Sequence, residues 1–137
     1  MGQSQPYKRT TEKPIALVVE DDAVQRESIV TLLEESEMDV ISCESGEAAA
    51  LVLDHVGGCV STLLTDVNLA GTMNGIELAQ IAHERYPELR IIVISANPRV
   101  SRLPDGTQFI AKPWSPLELL GGKGVGVKGR YEIEVEA

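Results

Sequence analysis

The strongest constraint in this chain is a series of short apolar runs with no polar alternation inside them, at residues 15–19, 40–43, 60–64 and 89–94, with a weaker run at 108–111. A strand with one face in water alternates apolar and polar side chains, whereas a strand covered on both faces does not. Between the runs lie segments with helical spacing: Val24, Ile29, Leu32 and Leu33, then Ala48, Leu51 and Val52, then Leu78, Ile81 and Ala82. Helix-start signals agree with this division. Asp22 with Gln25, Asn74 with Glu77, and Ser115 with Glu118 have the spacing by which a cap and the third helical residue satisfy orphan amides. Pro116 falls on the favoured first helical position, Ser45 followed by Glu47 gives a weaker start, and Pro87 closes the third helix.

Strand and helix therefore alternate, with a loop before the last strand. That order predicts an α/β, doubly wound, five-stranded parallel sheet with right-handed crossovers and helices on both faces. A length of 137 residues suits one domain. Residues 14–120 carry the pattern, residues 1–13 are expected to form a flexible N-terminal arm, and residues 121–137 a glycine-rich tail, either disordered or an edge strand.

The net charge of −9 would repel a phosphate backbone, and no Lys/Arg stripe offsets it, so direct nucleic-acid binding is not expected. No apolar run reaches the ~20 residues of a membrane span, and the first residues lack a signal-peptide core, which makes cytoplasmic placement the expectation. Cys43 and Cys59 are read as small buried thiols. His55 and His83 are read as helix positions, because neither has a paired ligand at metal-binding spacing.

In doubly wound sheets, ligands bind at the carboxyl edge of the strands. The residues gathered there are Glu20, Asp21 and Asp22 after the first run, Asp66 after the third, Ser95 after the fourth and Lys112 after the fifth. Two unit charges about 4 Å apart repel by roughly 4 kcal/mol at an effective dielectric near 20, so the acidic cluster needs a counterion. Hard oxygen ligands with open positions suit Mg²⁺. Asp22 is assigned to the helix cap and not to the metal.

With LVVEDD at 17–22, LLTDVNL at 63–69, NGIEL at 74–78, IIVISA at 91–96 and FIAKPW at 109–114, residues 14–120 resemble response-regulator receiver domains. The resemblance implies a flavodoxin-like receiver fold and a stand-alone module without an output domain. It implies that Asp66 accepts a phosphoryl group from a sensor histidine kinase or a histidine phosphotransfer protein. By the same resemblance Asp21, Asp66 and the Asn68 backbone carbonyl hold Mg²⁺, with Glu20 acting through water, because its arm is longer than the aspartate common at that position. Ser95 is the implied switch hydroxyl, Phe109 the switch aromatic and Lys112 the phosphate-pairing cation. A cis Lys112–Pro113 bond, a downstream protein target and a possible homodimer also come from the family.

The sequence departs from the family pattern in several places. Only sixteen residues separate Ser95 from Lys112, and Pro98, Pro104 and Asp105–Gly106 lie among them, so the fourth helix of the family is shortened or replaced by a loop. This resembles a variant group of receivers with a ProAspGly-type turn before the fifth strand. The last helix meets Gly121, Gly122, Gly124, Gly126 and Gly129, each opposing continuation at ~1 kcal/mol. The loop at 70–74 is one residue longer than usual, which the chain should tolerate. Trp114 is expected to pack against the sheet edge or a partner.

Three other classes compete with this reading. A phosphorylation-independent pseudo-receiver that binds proteins would keep the fold and lose the chemistry. A phosphatase of the haloacid-dehalogenase type needs a second aspartate two residues after the nucleophile, where Asn68 stands. A dinucleotide site needs a glycine-rich loop after the first strand, where acidic residues stand.

Overall fold

The structure, a computed structural model, describes residues 13–121. Its elements follow in the order β1 (Ile15–Val19), α1 (Ala23–Glu35), β2 (Asp39–Cys43), α2 (Gly46–Val56), a 3₁₀ turn (Gly57–Cys59), β3 (Thr62–Asp66), α3 (Gly75–Arg85), β4 (Arg90–Ser95), β5 (Gln108–Ala111) and α4 (Pro116–Gly121). All strands are parallel, in the order β2-β1-β3-β4-β5. The chain steps from β1 outward to β2 and then back across to β3, so β1 and β3 flank the point where the winding reverses. Ligands of doubly wound sheets bind outside the carboxyl ends of the strands at such a reversal.

The central strands β1 and β3 are buried along their whole length, and β4 along all but its first residue. The edge strands β2 and β5 are only half-covered, which corrects the expectation that every run is buried on both faces. Side chains alternate across the sheet at period two. Ile15, Leu17 and Val19 pack with Leu63, Ile91 and Val93 beneath Ala49 and Leu53 of α2 and Leu78 and Ala82 of α3. Ala16, Val18, Leu64, Ile92 and Ile94 face the other way, toward Ile29 and Leu33 of α1 and Leu119 of α4. Trp114 packs against this second cluster, as do Leu32 and Leu120.

Two of the apolar helix positions are not core. Val24 is 76% exposed and Leu51 is 61% exposed. At 100° per residue Val24 lies about 140° around the helix from Ile29, and Leu51 about 160° from both Ala49 and Leu53. Cys43 is buried and Cys59 half-buried, and both are free thiols. His55 is exposed, with its Nδ1 2.8 Å from the Leu51 carbonyl.

The helix starts form as the sequence spacing requires. Asp22 accepts from the Gln25 amide at 2.9 Å, Ser45 from Ala48 at 3.1 Å, and Asn74 from Glu77 at 2.8 Å. At Asn74 the Glu77 side chain returns the bond, and Ser115 and Glu118 exchange the same pair. No helix separates β4 from β5; residues 96–107 form a loop that turns at Asp105–Gly106, where the Thr107 amide donates to the Pro104 carbonyl at 3.1 Å. Of the two alternatives for that segment, replacement by a loop is the one adopted. The flexible arm expected for 1–13, apart from Lys13, and the tail expected for 121–137, apart from Gly121, which ends α4, lie outside the described residues.

Candidate functional site

Four of the five strands deliver polar groups to the carboxyl edge. Glu20 and Asp21 follow β1, Asp66 and Ser95 are the last residues of β3 and β4, and Lys112 follows β5. Glu20 is 2% exposed and Asp66 6% exposed, whereas Asp21 faces solvent. One carboxylate oxygen from each of the three lies within 4.8 Å of the other two. Lys112 Nζ donates to Asp66 Oδ2 at 2.6 Å and stands 3.7 Å from Glu20 Oε1. The expected acidic residues and the expected lysine thus converge.

The backbone fixes this cluster firmly. The Glu20 amide donates to the Cys43 carbonyl at 3.1 Å, and its own carbonyl accepts from Arg26 Nη1 at 2.8 Å. Glu20 Oε2 also accepts from the Asp22 amide at 3.1 Å. Asp66 Oδ1 accepts from the Asn68 amide at 3.3 Å, which starts the turn into the next loop. Ser95, fully buried, accepts from the Asn97 amide through Oγ at 3.0 Å. Its carbonyl accepts from the Lys112 amide at 2.9 Å, so the ends of β4 and β5 are tied across the site. Lys112–Pro113 is a cis peptide. Phe109 is half-buried and packs with Leu103 against the α2–α3 side of the core.

Two residues that matter here were not singled out from the sequence. Arg26, an unremarkable helix position, secures the Glu20 carbonyl. Gly75, the first residue of α3, packs so closely on Asp66 that a Cβ there would lie 2.0 Å from the Asp66 carbonyl oxygen. Its amide donates to the Val67 carbonyl at 2.8 Å. A glycine opening a helix right after a good cap is the one sequence signal that could have marked it, because glycine disfavours helix.

The electrostatics follow from burial. Glu20 has its carboxyl pushed up to about 7, first by burial and then by the charge of Asp66, against the opposing pull of the Asp22 amide and Lys112. Burial pulls Lys112 down, but its bond to Asp66 and the charges of Asp66 and Glu20 prevail and leave it raised. Three carboxylates against one ammonium leave negative charge uncompensated, and the donors are all oxygen. That set suits a hard divalent cation such as Mg²⁺, which accepts one or two carboxylates and keeps waters and an open position.

Without divalent ions, the Glu20 carboxyl makes stability depend on pH. It titrates near 7 when folded and near 4.5 when unfolded, so folding takes up a proton between those values. Glu20 therefore contributes its stability fully below pH 4.5 and loses it as the pH rises through 7. Between pH 5 and pH 8 the loss amounts to roughly 2–3 kcal/mol. Denaturant unfolding at pH 5 and pH 8 in a chelator should show this component, and Glu20→Gln should lack it. Identical pH dependence in the two chains would overturn the assignment.

Comparison with known proteins agrees with the geometry. The family profile of the response regulator receiver domain matches residues 16–121. Among characterised relatives, the response regulator protein FleR of Pseudomonas aeruginosa is 30% identical over 76% of this chain and 22% of its own length. The transcriptional regulatory protein AruR of the same organism is 30% identical over 78% of this chain and 46% of its own length. The chain thus spans less than half the length of either relative. A crystallised response regulator receiver protein from Sinorhizobium medicae superposes with a TM-score of 0.76 at 22% identity, covering 81% of this chain and 91% of its own. No helix among the described residues is long and apolar enough to cross a membrane. A profile match across most of the chain, on a sheet with this order and this acidic edge, places the protein in the response regulator receiver domain family of two-component signalling.

Proposed function

We propose that this receiver takes a phosphoryl group onto Asp66 from a sensor histidine kinase or a histidine phosphotransfer protein, with Mg²⁺, and signals through contacts with a downstream protein. The observation that carries the reading is the 2.6 Å contact between Lys112 Nζ and Asp66 Oδ2 inside a three-carboxylate cluster at the switch point of the sheet.

A carboxylate is a weak nucleophile, so catalysis rests on positioning and on neutralising charge as the phosphoryl group moves. An Asp66 oxygen forms the new bond to phosphorus while the bond to the donor breaks and the donor leaves with its electron pair. Lys112 stands where it can follow a phosphoryl oxygen. Asp21, Asp66 and the Asn68 carbonyl are the proposed metal ligands, with Glu20 acting through water. Bound there, Mg²⁺ would offset charge on the transferring oxygens.

Ser95 is the proposed switch hydroxyl. As acceptor of the Asn97 amide it already links the strand end to the 96–107 loop. Donation of its proton to a phosphoryl oxygen would turn the hydroxyl and redirect that link, and Phe109 would follow into the space released. A segment with two discrete arrangements is what such a switch requires.

Incubation with acetyl phosphate and Mg²⁺ should add one phosphoryl group per chain, visible by intact mass and removed by hydroxylamine. A chelator should suppress it and Asp66→Asn should carry none. No adduct on the parent chain, or an equal adduct on Asp66→Asn, would sink the proposal and leave a protein-binding pseudo-receiver.

A further inference from the structure

An acidic residue in the first turn of a helix ordinarily does no more than favour the helix dipole. Glu47 of α2 does something else: its side chain turns to the loop between β3 and α3. Glu47 Oε2 accepts from the Thr72 amide at 2.8 Å, the Thr72 hydroxyl at 2.7 Å and the Met73 amide at 3.1 Å. Beside it, Ser45 and Ala70 form a parallel bridge.

The seam is tight on both sides. Gly71 has a positive φ of 93°, and a Cβ there would lie 2.8 Å from Glu47 Oε1. A Cβ on Gly46 would lie 3.0 Å from the Met73 side chain and 3.1 Å from its carbonyl oxygen. Thr72 and its neighbours hold the Glu47 carboxyl down at about 2, led by the Thr72 hydroxyl, so the acceptor stays ionised across the working pH range.

The loop so held carries Asn68. Its near end is pinned by the Asn68 amide on Asp66 Oδ1 and by the Gly75 amide on the Val67 carbonyl. Between those anchors, the α2 seam and the packing of Met73 against the core fix the path of Ala70 through Met73. Resting on the metal-site reading above, we infer that Glu47 is a positioning residue: through Thr72 and Met73 it sets the path of the 69–73 strap and hence the aim of the Asn68 carbonyl at the cation. Groups that orient a metal ligand from behind typically govern affinity by about 10–100-fold.

The test is a Mg²⁺ titration of the full chain followed by amide NMR, which also reports the Thr72 and Met73 amides, with thermal melts run alongside. Glu47→Ala should raise the Mg²⁺ dissociation constant roughly tenfold, in line with that range. Glu47→Gln keeps one acceptor oxygen and should recover most of the affinity. Thr72→Val removes only the hydroxyl donor, should shift affinity in the same direction by a smaller factor, and serves if Glu47→Ala fails to fold. If the altered strap binds Mg²⁺ as tightly as the parent chain while its Thr72 and Met73 amides exchange freely, Glu47 is only a staple and the inference falls. If the parent chain itself shows no Mg²⁺-dependent shift around Asp21 and Asp66, the receiver chemistry falls, and this inference with it.

Discussion

Lys112→Ala should lose about 3 kcal/mol of stability at pH 8 in the absence of divalent ions, and its phosphoryl uptake should drop by at least about a hundredfold. Lys112 is the ammonium in contact with Asp66, at 2.6 Å, and it also faces Glu20 at 3.7 Å. Without it, two buried carboxylates confront each other with no positive partner. Removing one member of a buried pair costs about 3–5 kcal/mol because of the charge left behind. The lower end applies here, since the Lys112 side chain keeps 21% of its surface in water. Two conditions should restore stability: acid, which protonates Glu20, and Mg²⁺, which offsets the same charge. Neither should restore uptake, because neither replaces the Lys112 ammonium beside Asp66. Urea unfolding at pH 5 and 8, with and without Mg²⁺, checks the first part, and acetyl phosphate labelling checks the second. Parent-like stability at pH 8 in chelator would show that the pair carries no weight.

Gly75→Ala should destabilise the chain by about 3 kcal/mol, although glycine to alanine within a helix ordinarily gains about 1. The reversal comes from the surroundings of the new methyl group. It would sit 2.0 Å from the Asp66 carbonyl oxygen, 2.8 Å from its carbonyl carbon and 2.9 Å from Val67 Cα. All three are backbone atoms at the end of a buried strand, so no side chain can swing aside. Either α3 retreats, or Asp66 moves off the line set by Lys112. Denaturant melts should show the loss, and labelling should show impaired uptake in whatever fraction stays folded. A Gly75→Ala chain as stable as the parent would mean that the α3–Asp66 approach is looser than these distances require.

Most of the frame and the centre of the site could be read from residue order. Strand runs, caps at Asp22, Ser45, Asn74 and Ser115, and the rule that ligands gather at strand ends were enough to bring Glu20, Asp21, Asp66, Ser95 and Lys112 to one edge. The misses have physical causes. In α2, residues 48–53 are apolar all round, so nothing local selects Ala49 and Leu53 over Leu51 for the core. In the third run, the apolar stretch begins at residue 60 but β3 begins at Thr62, because Val60 and Ser61 still serve the 3₁₀ turn and the crossing to β1. The roles of Gly75 and Glu47 escaped because one is steric, set by how closely α3 returns to the end of β3, and the other is long-range, set by a loop 25 residues away.

The loop in place of a helix between β4 and β5 has its own consequence. There the α2–α3 side of the interior is roofed by Leu103 and Phe109, with Gln80 Nε2 holding the Arg102 carbonyl at 2.9 Å. A helix carries its own ladder of bonds and lifts as a unit, whereas an extended roof owes its placement to a few separate anchors that can release one at a time. A loop held in this way can open piecemeal beside Ser95, so under the proposed function phosphoryl uptake would be reported by a segment that needs no concerted lift of a helix.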